Sequence, residues 1–260
     1  MTRTTLDKEL QELDAQIIQL GSLVDDALGR ALQALEKADL AQAASVIEAD
    51  VLIDSLRVAI EEHSFRLLTL QQPLAGRDLR YLTSAPSIAA DLERIGDGAE
   101  GITQIILRMA PLHGKPDQVK VARNLADAVE LTPTGDSGQV TEASILRGIL
   151  DLEREARRVL QGAMKAFADR DANAARYNWQ EDDVVDVRYH EVRHDLMAML
   201  SGAHAIPALQ NDALILQRAT YLLWIAHKLE RVGDHASNIC ERVIFIIEGE
   251  ANIQSQKVQQ

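Results

Sequence analysis

The twelve residues Lys228–Ile239, KLERVGDHASNI, restate Asp91–Ile102, DLERIGDGAEGI, with seven positions identical. The copies stand 137 residues apart in a chain of 260. A second pair of segments repeats in the same way. Ala34–Asp54 (ALEKADLAQAASVIEADVLID) aligns without a gap on Ala166–Asp186 (AFADRDANAARYNWQEDDVVD) at an offset of 132. Asp39 falls on Asp171, Asp50 on Asp182 and Asp54 on Asp186. Self-similarity of this period means one structural unit made twice. The five-residue difference between the offsets falls in the loop between the second and third helices of each unit.

The unit is helical. Hydrophobic residues make up 47% of the chain but aromatics only 3%, a balance that suits long helices and disfavours a β-sandwich or barrel. One helix is expected from Asp7 to about Lys37 and a second from Asp39 to about Leu70. QQPLAGRD breaks the pattern with Pro73 and Gly76. A third runs from about Arg77 to Met109, with Pro86 as an early kink or bend, and stops at Pro111, Gly114 and Pro116. Asp117–Leu131 can form a short extra helix, and Thr132–Gly138 (TPTGDSG) is a loop. The pattern restarts with helices at Val140 to about Asp169, Ala172 to about Leu200, a break at SGAHAIP, and about Asn211 to Gly249. The expected architecture is all-α, a tandem repeat of two antiparallel three-helix bundles. Its parts are residues 1–112, a connector at 113–139, residues 140–250 and a tail at 251–260.

The third helix of each unit has an apolar seam. Leu92, Ile95, Ala99, Ile102, Ile106 and Met109 step by three and four, as do Leu229, Val232, Ala236, Ile239, Val243 and Ile246. At about 100° per residue, Glu93 with Asp97 and Glu230 with Asp234 fall on the side away from that seam. On the second helix, Asp50 and Asp54 are again four apart, as are Asp182 and Asp186, with Asp183 beside them. Carboxylates at this spacing repel one another modestly in water. A multivalent cation reverses that, and oxygen-only sets suit hard ions such as Mg²⁺, Ca²⁺, Mn²⁺ or Fe³⁺. Acidic pairs are common on any acidic helix, and it is their recurrence at matched positions that makes them candidates for metal. Gly96 and Gly233 interrupt the same helices at a cost of about 1 kcal/mol each relative to Ala. Close approach of another helix or of a ligand cluster would explain both.

A formal net charge of −13 repels nucleic-acid phosphates and fits cation binding or docking on a basic partner. The single cysteine, Cys240, can form no internal disulfide, so a reducing compartment and a cytoplasmic location are expected. The first residues, MTRTTLDKELQELD, lack a signal-peptide core, and the apolar run Val243–Ile247 is closed by charges on both sides. A soluble protein is expected, reaching a membrane only through partners.

LERIGDGA, LERVGDHA, the paired aspartates upstream and QPLAGRDLR after the second helix resemble the PhoU family, accessory regulators of the phosphate-specific ABC transporter. The resemblance spans nearly the whole chain, and the doubled (Glu/Asp)-x-x-x-Asp phrase is its most specific part. It implies a negative regulator of the phosphate-starvation response. Such a protein couples the transporter's ATPase subunit to a membrane sensor histidine kinase and is often a homodimer. It also implies multinuclear iron or zinc, or manganese or magnesium, held by Glu93, Asp97, Glu230 and Asp234. Asp50, Asp54, Asp182 and Asp186 are their companions on the neighbouring helix. The connector from about His113 to Gly138 is long for the family.

Two other readings stay open. A metal-free docking module would have the same fold. A carboxylate-bridged di-metal redox protein would need doubled Glu-x-x-His pairs, and only Glu191-Val-Arg-His194 has that spelling. No nucleotide-binding Gly-rich loop is present, and no enzymatic activity is expected. His235 is expected as a solvated surface residue, with a ligand role in the second half as the alternative. His63 is expected as a hydrogen-bonded core residue, and Cys240 as a small structural one. No basic or amide-rich cradle for phosphate stands out, so direct phosphate binding is not expected.

Overall fold

The structure is a computed structural model that describes residues 3–70, 73–110, 142–205 and 213–249. The described residues form helices α1 (Arg3–Lys37), α2 (Leu40–Leu70), α3 (Gly76–Met109), α4 (Glu142–Asp169), α5 (Ala172–Gln180), α6 (Asp182–Ala205) and α7 (Ala213–Glu248). The connector at 113–139, its suggested short helix and the tail at 251–260 lie outside them.

The first turn of each unit is built the same way. Ala38 and Arg170, which the offset of 132 places on one another, both take a left-handed backbone, with φ of 51° and 54°. The aspartate that follows then caps the next helix. Asp39 accepts from the Gln42 amide at 3.0 Å, and Asp171 accepts from the amides of Asn173 and Ala174. A side-chain cap of this kind is worth about 1 kcal/mol.

The repeat diverges in its second helix. α2 is continuous, whereas its counterpart divides at Glu181 into α5 and α6. The second-half helix therefore starts afresh at Asp182, and it also runs past the expected end at Leu200 to Ala205. α3 passes through Pro86 as one helix.

α1, α2 and α3 pack on one another, as do α4, α5, α6 and α7. The two bundles join through α3 against α7 and α1 against α4. α3 and α7 run antiparallel, since Arg80 donates to the Ile246 carbonyl at 3.3 Å while Gly98 lies against the Lys228 carbonyl. α1, α3, α4 and α7 thus form an inner layer, with α2 outside one half and α5–α6 outside the other. All twelve expected seam residues of α3 and α7 are buried. They belong to one hydrophobic core that runs through both halves.

Polar links lock the halves together. Arg157 of α4 clamps Asp25 of α1 with two hydrogen bonds, at 2.8 and 3.0 Å. Arg170 grips Asp14, which also accepts from the Tyr81 hydroxyl at 2.6 Å. The same guanidinium lies 4.6 Å from the Tyr81 ring centroid. That contact explains the arginine at a left-handed position: its side chain, not its backbone preference, is what the site uses.

Candidate metal centre

Gly96 is buried where α3 crosses α2. A Cβ there would stand 3.1 Å from two Ile53 carbons and 3.6 Å from an Asp50 oxygen. The glycine lets the helices approach closely and brings α2 carboxylates beside those of α3. Gly233 does the same against Val185 and Asp182, the repeat counterparts of Ile53 and Asp50. A Cβ at Gly233 would overlap the Asp182 carboxylate. The expected close approach is present twice.

In the first half this brings Asp50, Asp54 and Asp97 together. One oxygen from each lies within 4.8 Å of the others. Asp54 and Asp97 are exposed, and Asp50 is half-buried. Burial, followed by the fields of Asp54, Glu100, Asp97 and Glu93, pushes the Asp50 carboxyl up to about 6. Three carboxylates crowded until one resists ionisation are a set that a hard cation would relieve. The donors are all oxygen, which suits magnesium, manganese or ferric iron better than zinc.

Glu93 stands apart from the three. Its carboxylate is half-buried, 3.8 Å from Arg57 Nε. Burial and then Asp97 raise its pKa, and Arg57 offsets part of that. Glu100, whose charge reaches Asp50, was not among the expected site residues. It stands three positions after Asp97, and its repeat counterpart is Ser237, so a search for doubled acids passes over it.

The second half does not converge in the same way. Among the described residues no triad of Asp182, Asp186, Glu230 and Asp234 meets within 4.8 Å. Glu230 is half-buried and 3.1 Å from His227 Nδ1. Its pKa is raised by burial, then by Asp234, with Asp186 adding further. Asp186 lines a surface hollow on α6 with Asp183, His190 and His194, while Asp182 and Asp234 line another with Trp179 and Glu241. The expected outward face holds for Asp97 and Asp234, which are exposed; Glu93 and Glu230 are half-buried.

The histidines sort differently from one another. His63 is buried against Gln16 and Glu9, at 3.0 and 2.9 Å, as a hydrogen-bonded core residue. Glu9, Glu12 and His63 form a second cluster of metal-ligand types, with His63 and Arg66 both already bonded to Glu9. His235 is not a solvated surface residue. It is buried, with its Nδ1 3.0 Å from Asp91 Oδ1, and Asn238 also donates to that oxygen. The reason is the packing of α3 on α7, which a single-helix projection omits. Cys240 is buried, its thiol pushed up to about 11 by burial.

The PhoU domain profile matches residues 17–106 and 149–243. The two matches begin 132 residues apart and end 137 apart, the same offsets that the repeated segments show. The chain belongs to the PhoU family. Among its curated relatives is a phosphate-specific transport system accessory protein PhoU homolog of Aquifex aeolicus, 31% identical over 94% of each chain. The Clostridium acetobutylicum homolog is 27% identical over 96% of this chain and 97% of its own. The crystal structure of PhoU from Pseudomonas aeruginosa superposes with a TM-score of 0.72, at 27% identity, over 94% of this chain and 99% of that one. As a family member the chain has the fold of a phosphate-transport accessory protein. No helix among the described residues is long and apolar enough to cross a membrane.

Proposed function

We propose that this protein represses phosphate uptake and the phosphate-starvation response when phosphate is plentiful, by coupling the ATPase subunit of a phosphate ABC transporter to a sensor histidine kinase. The reading rests first on full-length similarity to proteins named as accessory to phosphate-specific transport. The single structural observation that supports it best is the convergence of Asp50, Asp54 and Asp97 at the α2–α3 crossing. We assign a hard divalent or trivalent cation to these three, manganese or magnesium before iron, with zinc disfavoured by the all-oxygen donors. When bound, the cation supplies charge neutralisation and rigidity to an otherwise self-repelling face. The protein's own part is to hold the helices close through Gly96 and to keep Arg57 on Glu93, beside the three.

The protein acts by docking, without catalysis, in the cytoplasm. Val51, Leu52, Val58 and Phe65 are exposed along α2, and Leu52 and Phe65 recur as exposed Val184 and Met197 on α6. Apolar side chains beside an acidic face suit a partner helix or a second copy in a homodimer. The test is a deletion strain in high phosphate. Derepressed starvation genes, restored by the intact gene but not by one carrying Asp50→Asn and Asp97→Asn, support both the regulation and the cation. Normal repression in the deletion strain sinks the regulatory reading, and full rescue by the variant sinks the role of the cation.

A further inference from the structure

Where α3 crosses α7 the two bundles enclose a groove of about 610 Å³, a size typical of small-ligand sites. Arg94 and Arg108 from one bundle and Lys228 and Arg231 from the other line it. In a chain of net charge −13 most buried or half-buried arginines are paired, as Arg57, Arg157 and Arg170 are. Of the four groove cations Lys228 is half-buried and Arg94, Arg108 and Arg231 are exposed, and among the described residues none of them makes an ion pair or a side-chain hydrogen bond. Among the described residues Asp97 is the one carboxylate on the groove wall, while His227 is engaged by Glu230.

The floor is shaped to admit a charge. A Cβ on Gly101 would meet the Lys228 ammonium, so the glycine leaves room for the end of that flexible side chain to lie across the seam. The repeat counterparts of Gly101 and Lys228 are Asn238 and Asp91, so the duplication did not supply this arrangement. Four cations around one groove make a local positive potential that attracts an anion, and guanidinium forks match phosphate oxygens in pairs. Arg94 and Arg108 are fourteen residues apart on one helix, which is about 21 Å. One phosphate cannot reach both. Trp224, about half exposed, forms part of the same wall and offers an aromatic face.

We propose that the α3–α7 groove binds an extended phosphate anion, a short polyphosphate chain or the phosphates of a nucleotide, through Arg94, Arg108, Lys228 and Arg231. This site shares Asp97 with the aspartate set but does not depend on a cation there, and it does not rest on the proposed regulatory role. The test uses the full chain in chelator at low ionic strength. Inorganic phosphate, tripolyphosphate and ATP are titrated in turn by calorimetry, with tryptophan fluorescence in parallel. Tripolyphosphate or ATP should saturate near one per chain and bind at least about tenfold tighter than inorganic phosphate, a margin easily resolved. The Lys228→Gln, Arg231→Gln double variant should lose at least that factor. Trp224→Phe separates the two sources: a loss confined to ATP assigns a base contact, and an equal response of both ligands assigns the phosphate chain alone. No saturable binding overturns the proposal, as does equal affinity for all three anions. Undiminished binding by a double variant that melts like the parent overturns it too. If that variant is unstable, Arg94→Gln with Arg108→Gln replaces it, since both side chains are exposed; retained affinity there is equally fatal.

Discussion

Around Gly96 three aspartates converge, whereas around Gly233 their counterparts do not, and single residues account for the difference. The apolar contacts match: Ile53 against Gly96, Val185 against Gly233. The polar surroundings do not match. Arg57, which takes up Glu93, is replaced by Tyr189. Ala90 is replaced by His227, which takes up Glu230, and Glu100 is replaced by Ser237. The second-half helix also starts at Asp182, where α2 is continuous. Packing has thus kept the apolar helix crossings of the duplicated unit alike, while the charged groups around them have diverged.

The largest effect should fall on what the halves share. Leu92 and Leu229 are matched, fully buried seam residues. Leu92→Ala and Leu229→Ala should each cost about 3 kcal/mol, within the usual range for buried leucine truncation. Urea denaturation checks this. The one continuous core predicts similar losses; a large loss from one and almost none from the other would break the equivalence of the two bundles.

The next effect should separate the halves. Asp97→Asn should weaken Mn²⁺ binding at least about tenfold, as loss of a coordinating or supporting group does. Asp234→Asn should change the tightest Mn²⁺ site by less than about threefold, because its carboxylate companions are dispersed. Electron paramagnetic resonance of free Mn²⁺ during titration measures both. Equal losses would show that a bound cation draws the second set together.

The repeat, the seams and the glycine crossings were legible in the sequence because each depends on spacing along one helix, which the letters preserve. Leu92 through Met109 could be placed in the core from their steps of three and four alone. What remained hidden depends on which helix lies opposite. Nothing near His235 in sequence announces Asp91, because the two meet only across the α3–α7 seam. The division at Glu181 was equally obscure, since Ala172–Leu200 contains neither proline nor glycine. The basic groove is hidden for the same reason as the His235 contact: its two pairs of cations, Arg94 with Arg108 and Lys228 with Arg231, stand more than a hundred residues apart.

That seam contact is itself a one-sided feature. The counterparts of Asp91 and His235 are Lys228 and Gly98, so the repeat does not form the pair a second time. His235→Ala leaves the buried Asp91 carboxylate with Asn238 alone and should cost about 1–2 kcal/mol. A double-mutant cycle with Asp91→Ala should return a coupling of at least about 0.5 kcal/mol. Additive losses would mean that His235 acts only by filling space.

The smallest effect concerns pH and distinguishes the two acidic faces in the absence of metal. Asp50 carries a folded pKa of about 6 against an ordinary value of 3.8, raised first by burial and then by its carboxylate neighbours. Below pH 3.8 the group is protonated in both states and contributes nothing. Between 3.8 and about 6 the native state holds a proton that the unfolded chain has released, so stability falls as pH rises. Above that window the penalty is constant. Partial exposure screens it to about 1 kcal/mol or less. In chelator, Asp50→Asn should therefore melt higher than the parent at pH 7.5 and level with it near pH 3.5. Glu230→Gln should behave in the same sense but more weakly, because His227 opposes the rise in its pKa. Thermal melts from about pH 3.5 to 8 compare the two variants directly. A parent that gains stability above pH 6 relative to Asp50→Asn would mean that the aspartates are held by an attraction, such as a retained cation, and not strained by one another.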